Sequence, residues 1–187
     1  MSWSIFKSNI LIYASNPQLI DDSDTIAEIY AREYDSAIKR GRDSINQISL
    51  QRGNYSAMES LFKLAFKAGT LSTGPYDLLG ALGRGITLYW SGATMNVFPI
   101  PLIPAPGSVQ NIAVNTNTVI NPGVWPTLPP TPPNNTPTLL IDSFILAATT
   151  HLSTVSGIIN TTSLYPSVPT PIPAPGVLPW TGYIVIG

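Results

Sequence analysis

No cysteine occurs in the 187 residues, which excludes disulfides, thiolate metal sites and cysteine nucleophiles together. Histidine occurs once, at His151, so a metal centre built on several imidazoles is excluded as well. Charge is the next scarcity. From Gly85 to Gly187 the only Lys, Arg, Asp or Glu is Asp142, while the first 84 residues carry the other 18. Charged side chains normally make up about a quarter of a soluble domain and lie chiefly on its surface. A tract of this size without them reads as surface made to be covered by other protein.

Further absences narrow the field. Net charge is −1 and the one basic run, Lys39-Arg40-Gly41-Arg42, is short, so no nucleic-acid partner is expected. That run reads as a solvated helix end. Met1 to Lys7 has no charged lead before a long apolar stretch, so no signal peptide is expected. No run of about 18 apolar residues exists, so no membrane span is expected either. The nearest candidate, Leu139 to Ile159, contains Asp142, His151 and many Ser and Thr.

What is present reads as mainly α. Asp21, Asp22, Ser23 and Asp24 form an N-cap cluster, and Ile26, Tyr30, Tyr34, Ala37 and Ile38 then recur at helical spacing to about Arg42. Ser56-Ala57-Met58-Glu59 matches a capping box that opens a second helix, with Gly69 as its stop. Gly74-Pro75 opens a third, carrying Leu78, Leu79, Leu82, Ile86, Tyr89 and Trp90. Its Gly80, Gly83 and Gly85 lack the preceding strand and following Lys-Ser or Lys-Thr of a phosphate loop. Close backbone packing or a kink is the better account of them.

Of the 19 prolines, 17 lie between Pro99 and Pro179. Stretches at roughly 96–137 and 165–181 are too rich in proline for helix or central strand. Between them a fourth helix is expected at about 138–160, with Pro137 in its first turn and Ile141, Phe144, Ile145, Ala148, Leu152, Val155 and Ile159 as its stripe. Tyr183 to Ile186 reads as a short β-like tail suited to a neighbour's sheet edge. The expected organisation is a helical domain of three helices at 1–95 and an uncharged, proline-rich assembly region at 96–187. Ile103-Pro104-Ala105-Pro106-Gly107 recurs as Ile172-Pro173-Ala174-Pro175-Gly176. Prolines hold such arms extended, with little freedom left to lose on docking.

Chemistry finds little purchase. His151 lies nine residues beyond Asp142, about 13 Å along one helix, and no Gly-x-Ser-x-Gly elbow accompanies it. A structural or partner-facing histidine is expected. Asp21, Asp22 and Asp24 lack the spacing of a calcium loop. Asp142 either faces a partner's cation or backbone donors, or serves the helix dipole. No catalytic residue, metal site or cofactor is expected.

The stretches Tyr89-Trp90-Ser91-Gly92-Ala93-Thr94, Phe98-Pro99-Ile100-Pro101-Leu102-Ile103-Pro104-Ala105-Pro106-Gly107 and Asn121-Pro122-Gly123-Val124-Trp125-Pro126 are the most distinctive. With the opening Met1-Ser2-Trp3 and Phe6-Lys7-Ser8-Asn9, they resemble small virion structural proteins of tailed phages, especially myoviruses of marine bacteria. That resemblance implies a non-enzymatic particle component, assembled in the host cytoplasm among other structural proteins and further copies of itself. Tail or baseplate is the leading expectation; neck or capsid association, an adaptor for one partner and a wall-degrading tail enzyme are alternatives. Interface anchors are expected at Trp90, Phe98, Trp125 and Trp180, because aromatic side chains concentrate interface energy, with an intrachain core contact as the alternative for each tryptophan; Asp142 joins them through its expected partner-facing carboxylate. The tail residues Tyr183, Ile184, Val185 and Ile186 complete the set.

Overall fold

A computed structural model describes residues 3–16, 22–43, 48–72, 76–97, 110–112, 118–127, 136–165 and 172–185. Within them the chain is mainly α, built on five helices: α1 (Trp3–Ala14), α2 (Ser23–Ile38), α3 (Tyr55–Leu71), α4 (Leu78–Ser91) and α5 (Pro137–Thr154). Helix α1 was not expected. It places Phe6 and Ile10 in the core with Trp3, Leu11 and Tyr13 packed beside them, a spacing of three and four that the exposed Ile5 and Ile12 obscure by making the opposite side apolar too.

The caps follow local chemistry, with three corrections. Asp22 caps α2, accepting from the Asp24 amide at 3.0 Å and from the Thr25 hydroxyl. The Ser56 capping box does not form, because α3 starts one residue earlier with Asn54 at its N-cap. There the Asn54 carbonyl accepts from Met58 N at 3.2 Å. Gly69 does not end α3, which continues to Leu71. Helix α4 is opened by Asp77, whose carboxylate accepts from Gly80 N at 2.8 Å; Gly74 and Pro75 lie outside the described residues.

The glycines of α4 are explained by close packing. A β-carbon at Gly83 would lie 2.4 Å from the Trp125 ring, and one at Gly85 would lie 2.9 Å from Phe62. The cost of glycine in a helix, up to about 1 kcal/mol each, is offset by these contacts.

Helix α5 ends at Thr154, six residues short of the expected limit, and the chain turns at buried Val155 directly into a strand. The β-branched pair Ile158-Ile159 favours that change. The strands are β1 (Arg42–Asp43), β2 (Ile48–Arg52), β3 (Thr94–Val97), β4 (Gln110–Ile112), β5 (Thr118–Asn121), β6 (Ser156–Tyr165), β7 (Ile172–Thr181) and β8 (Tyr183–Ile184). Two two-stranded sheets join β1 to β8 and β2 to β3. In the four-stranded sheet β6 is central, pairing antiparallel with β4 and β5 along one edge and with β7 over ten residues along the other.

The proline-rich segment 172–181 is therefore strand, not free extended arm. It remains an edge strand, and the placement of its prolines explains why. Successive residues of a strand direct their N–H groups to opposite edges. Pro173, Pro175 and Pro179 share one parity, so the donors they lack all fall on the edge turned away from β6.

The core does not respect a boundary at residue 95. Phe144 of α5 is fully buried and stacks on Phe6 of α1 at 5.4 Å between ring centroids. It meets Tyr30 and Tyr34 of α2 edge-on at 5.5 and 6.2 Å, Phe62 of α3 at 6.4 Å, and Trp125 at 6.1 Å. The division into 1–95 and 96–187 is thus corrected to one shared core. Replacing Phe144 with Ala should lower unfolding free energy by about 3–5 kcal/mol. Asp142→Ala, which removes only a half-exposed ion pair, should cost under about 1 kcal/mol. Urea denaturation of both variants checks the contrast, and equal losses would contradict this account of the core.

Candidate interaction surface

Most of the expected anchors are occupied within the chain. Trp90 is fully buried, donating its indole N–H to Tyr34 Oη at 3.0 Å and meeting Tyr183 edge-on at 5.1 Å. Tyr183 is buried as well. Its hydroxyl lies 2.9 Å from the carbonyl oxygens of Ile38 and Gly41 and accepts from Leu50 N at 2.8 Å. A phenol sunk in a core needs such partners, and these tie the C-terminal tail to the end of α2 and to β2. Strand β8 pairs with β1 of the same chain. Trp180 is buried above Gly157, where a β-carbon would lie 2.6 Å from the indole nitrogen. These three aromatic residues are corrected from interface anchors to core.

Asp142 is corrected too. Its carboxylate accepts from Lys7 Nζ at 2.6 and 2.9 Å, so the lone charge of the second half has a partner in the first half of the chain. Trp125 is half-buried between Gly83, Phe144 and His151. Val185 packs partly into the core and Ile184 is exposed. Phe98 and Ile186 lie outside the described residues.

The surface that remains open is one face of the four-stranded sheet. Register places Val119 of β5 opposite Ile158 of β6, and Ile158 opposite Pro179 of β7. Directly opposed residues project to one face, and here all three are exposed, with Val119 at 68% and Ile158 at 44%. The next residues alternate inward, as a pleat requires. Ile120, Gly157 and Trp180 form the opposing row, with Ile120 and Trp180 packed against the core.

The sheet is therefore apolar on both faces at this level, and among the described residues only one face is covered. Val124 adds a further aliphatic group at 72% exposure. No charged residue occurs in 118–127 or 156–181. Helix α5 continues the same character, exposing Leu139 and Leu146 seven residues apart with Asp142 as its only charge. The sheet face suits dry packing against protein and offers no ionic handle; on α5 the one charge is already paired with Lys7.

Segment 122–127 is fastened beside this face. Gly123 adopts a φ of 76°, a left-handed conformation that glycine tolerates. Thr154 Oγ1 accepts from Val124 N at 2.8 Å. Beneath it, His151 is fully buried against Trp125. Neither ring nitrogen has a well-formed hydrogen bond among the described residues. Burial pushes its pKa down to about 4, only partly opposed by the Pro122 carbonyl. It is a neutral core side chain at ordinary pH.

No group of three or more His, Asp or Glu side chains converges into a metal-binding set among the described residues. None of the described helices is long and apolar enough to cross a membrane. Comparison with family models, curated proteins and solved structures returns no match to this chain. The apolar row on the sheet was missed in the sequence because its members are far apart along the chain and join only through strand register. Alternation around Val119 and Ile158 carries no polar partner that would have marked a solvent face.

His151 makes stability depend on acid. The unfolded chain binds a proton below about 6.5, whereas the folded chain excludes it until about 4. Stability is therefore fully present above 6.5 and falls as pH drops through that window, by about 3 kcal/mol in all. Urea unfolding between pH 4 and 7 should show a shallower slope for His151→Gln than for the parent. Parallel slopes would mean that His151 is already protonated or solvated in the fold. On the sheet, Gly157→Ala should cost about 1–3 kcal/mol, because Trp180 must move to admit the methyl group. Its measure is the shift in urea midpoint, accompanied by a change in Trp fluorescence.

Proposed function

We propose that this chain is a non-enzymatic structural subunit of a large symmetric assembly, a tailed-phage virion part such as tail or baseplate. The observation that carries the reading is the exposed row Val119, Ile158 and Pro179 on a sheet whose other face is already packed on the core. Monomers rarely leave large contiguous apolar surface in water. Resemblance of the Trp90, Phe98–Gly107 and Asn121–Pro126 stretches to small phage virion proteins supplies the particle. The partners are other structural proteins of that particle and further copies of this chain.

The docking elements differ from those expected in the sequence. The helical body, including α5 and the tail around Tyr183, holds itself together. Contact with neighbours falls to the outer sheet face, to Val124 and to the exposed Leu139 and Leu146 of α5, which flank the Lys7–Asp142 pair. The Ala105-Pro106-Gly107 region lies outside the described residues and takes no part in this reading.

A charge placed in the row tests it. Ile158→Asp and Val119→Asp should leave far-UV circular dichroism unchanged, because both side chains are exposed. Sedimentation at tens of micromolar should find the parent self-associated, or bound to co-expressed virion proteins, and the two variants released to monomer. A parent that sediments as a monodisperse monomer and joins no particle would overturn the proposal. A stable one-to-one complex with a single protein would replace it with an adaptor.

A further inference from the structure

Segment 122–127 is fastened to the body by two sets of contacts. One is with the last turn of α5, where Thr154 Oγ1 accepts from Val124 N at 2.8 Å and donates to the His151 carbonyl at 2.7 Å. Gly123 lies against the same turn, and a β-carbon there would come within 2.7 Å of Thr154 Oγ1. The other is made by Trp125, whose ring covers Gly83 of α4 and meets Phe144 and His151 at 6.1 and 5.7 Å between centroids.

Both nitrogens of the His151 ring and the Trp125 indole nitrogen are buried without a hydrogen bond among the described residues. This pairing does not suit a charge. The indole N–H is a donor, and both imidazole nitrogens become donors once the ring is protonated. The Pro122 carbonyl favours the proton without a well-formed bond, and burial outweighs it. Segment 122–127, β5 and β6 carry no Lys, Arg, Asp or Glu. Around α5, Arg84 of α4 borders the groove outside Trp125, and Lys7 of α1 is taken by Asp142. Tyr183 of β8 is bonded to backbone groups. The C-terminal end of α5 attracts a cation only weakly.

We propose that segment 122–127 is an acid-released strap: protonation of His151 lifts Trp125 from Gly83 and Phe144 while the helices stay packed. The imidazolium then gains water for both of its N–H groups, which the closed strap denies it. The helices hold because Phe144 keeps Phe6, Tyr30, Tyr34 and Phe62 when Trp125 leaves. Release uncovers apolar surface at Gly83 and Phe144, so the chain presents a different face in acid than at neutral pH. The device does not depend on the assembly role.

Linkage gives the direction. With the strap closed the ring takes a proton only near 4, and with it open below about 6.5. The ratio of open to closed strap therefore rises about a hundredfold from pH 7 to 4. Hydroxyl-radical footprinting of the full chain, read by mass spectrometry, follows Trp125 with fully buried Trp90 as a control in the same molecule. Across that range Trp125 labelling should rise by about twofold or more relative to Trp90, with far-UV circular dichroism unchanged. His151→Gln should hold Trp125 at its neutral-pH value throughout. Should that variant fail to fold, Thr154→Val removes the clasp on Val124 and should bring the rise to higher pH. A flat Trp125, a rise shared equally by Trp90, an undiminished rise in His151→Gln or an unmoved one in Thr154→Val would overturn the inference.

Discussion

The ring of Phe144 sits where all parts of the body meet, touching Phe6, Tyr30, Tyr34, Phe62 and Trp125. Its own helix belongs to the uncharged half of the chain, while four of its five partners belong to the charged half. The two halves are therefore not a folded domain and an appendage. The first half supplies a socket of aromatic walls and the second half supplies the plug. Edge-to-face ring pairs each add about 0.5–1.5 kcal/mol beyond area burial, so the concentration of contacts on one ring makes it the point on which α1, α2, α3 and α5 depend together. Lys7 and Asp142 sit near it on the α1–α5 seam, where their pairing sets register more than stability.

That arrangement explains what the sequence could and could not reveal. Helix α2 was legible because Asp22 caps it and its apolar residues recur at 3.6 spacing against a polar outer side. Helix α5 was legible from Pro137 onward, but its end was not, since neither glycine nor proline follows at once. The turn into β6 is set by β-branched residues and by Trp180 lying over Gly157, a contact that requires β7 to be in place. Tertiary context decides such a boundary, and local propensity does not. The capping box at Ser56 shows the converse. A correct local signal gave way because β3 and the Asn54 amide, bonded to the Tyr89 carbonyl at 3.0 Å, fix the chain one residue earlier.

The tryptophans and Tyr183 were the hardest to place from sequence. Aromatic residues in an uncharged tract fit an interface and a core equally well, and composition does not distinguish them. For Trp90 and Tyr183 the missing information was the partner of the polar handle. Trp90 finds Tyr34, and Tyr183 finds backbone groups at Ile38 of α2, at Gly41 just beyond it and at Leu50 of β2. Gly41 was the available signal, since a β-carbon there would meet the Tyr183 ring at 2.4 Å. The candidate surface, by contrast, is made of small aliphatic residues, Val119, Ile158, Pro179 and Val124, which no sequence rule marks as an interface.

An exposed apolar sheet is ordinarily hazardous, because an open edge beside it recruits further strands without limit. In this chain the two properties are separated. The outer edge of β7 lacks donors at Pro173, Pro175 and Pro179, and prolines on an edge strand prevent its extension. Strand β4 is three residues long and β5 four, and short edge strands give little purchase to a newcomer. Edge-to-edge growth is thereby discouraged on both sides while the face stays apolar. Association through the face buries side chains in a finite, shape-dependent contact; association through the edge would propagate. The proline content that first suggests a stiff docking arm thus has a different physical role in β7, which is to let a sheet be sticky on its face without being sticky on its edge.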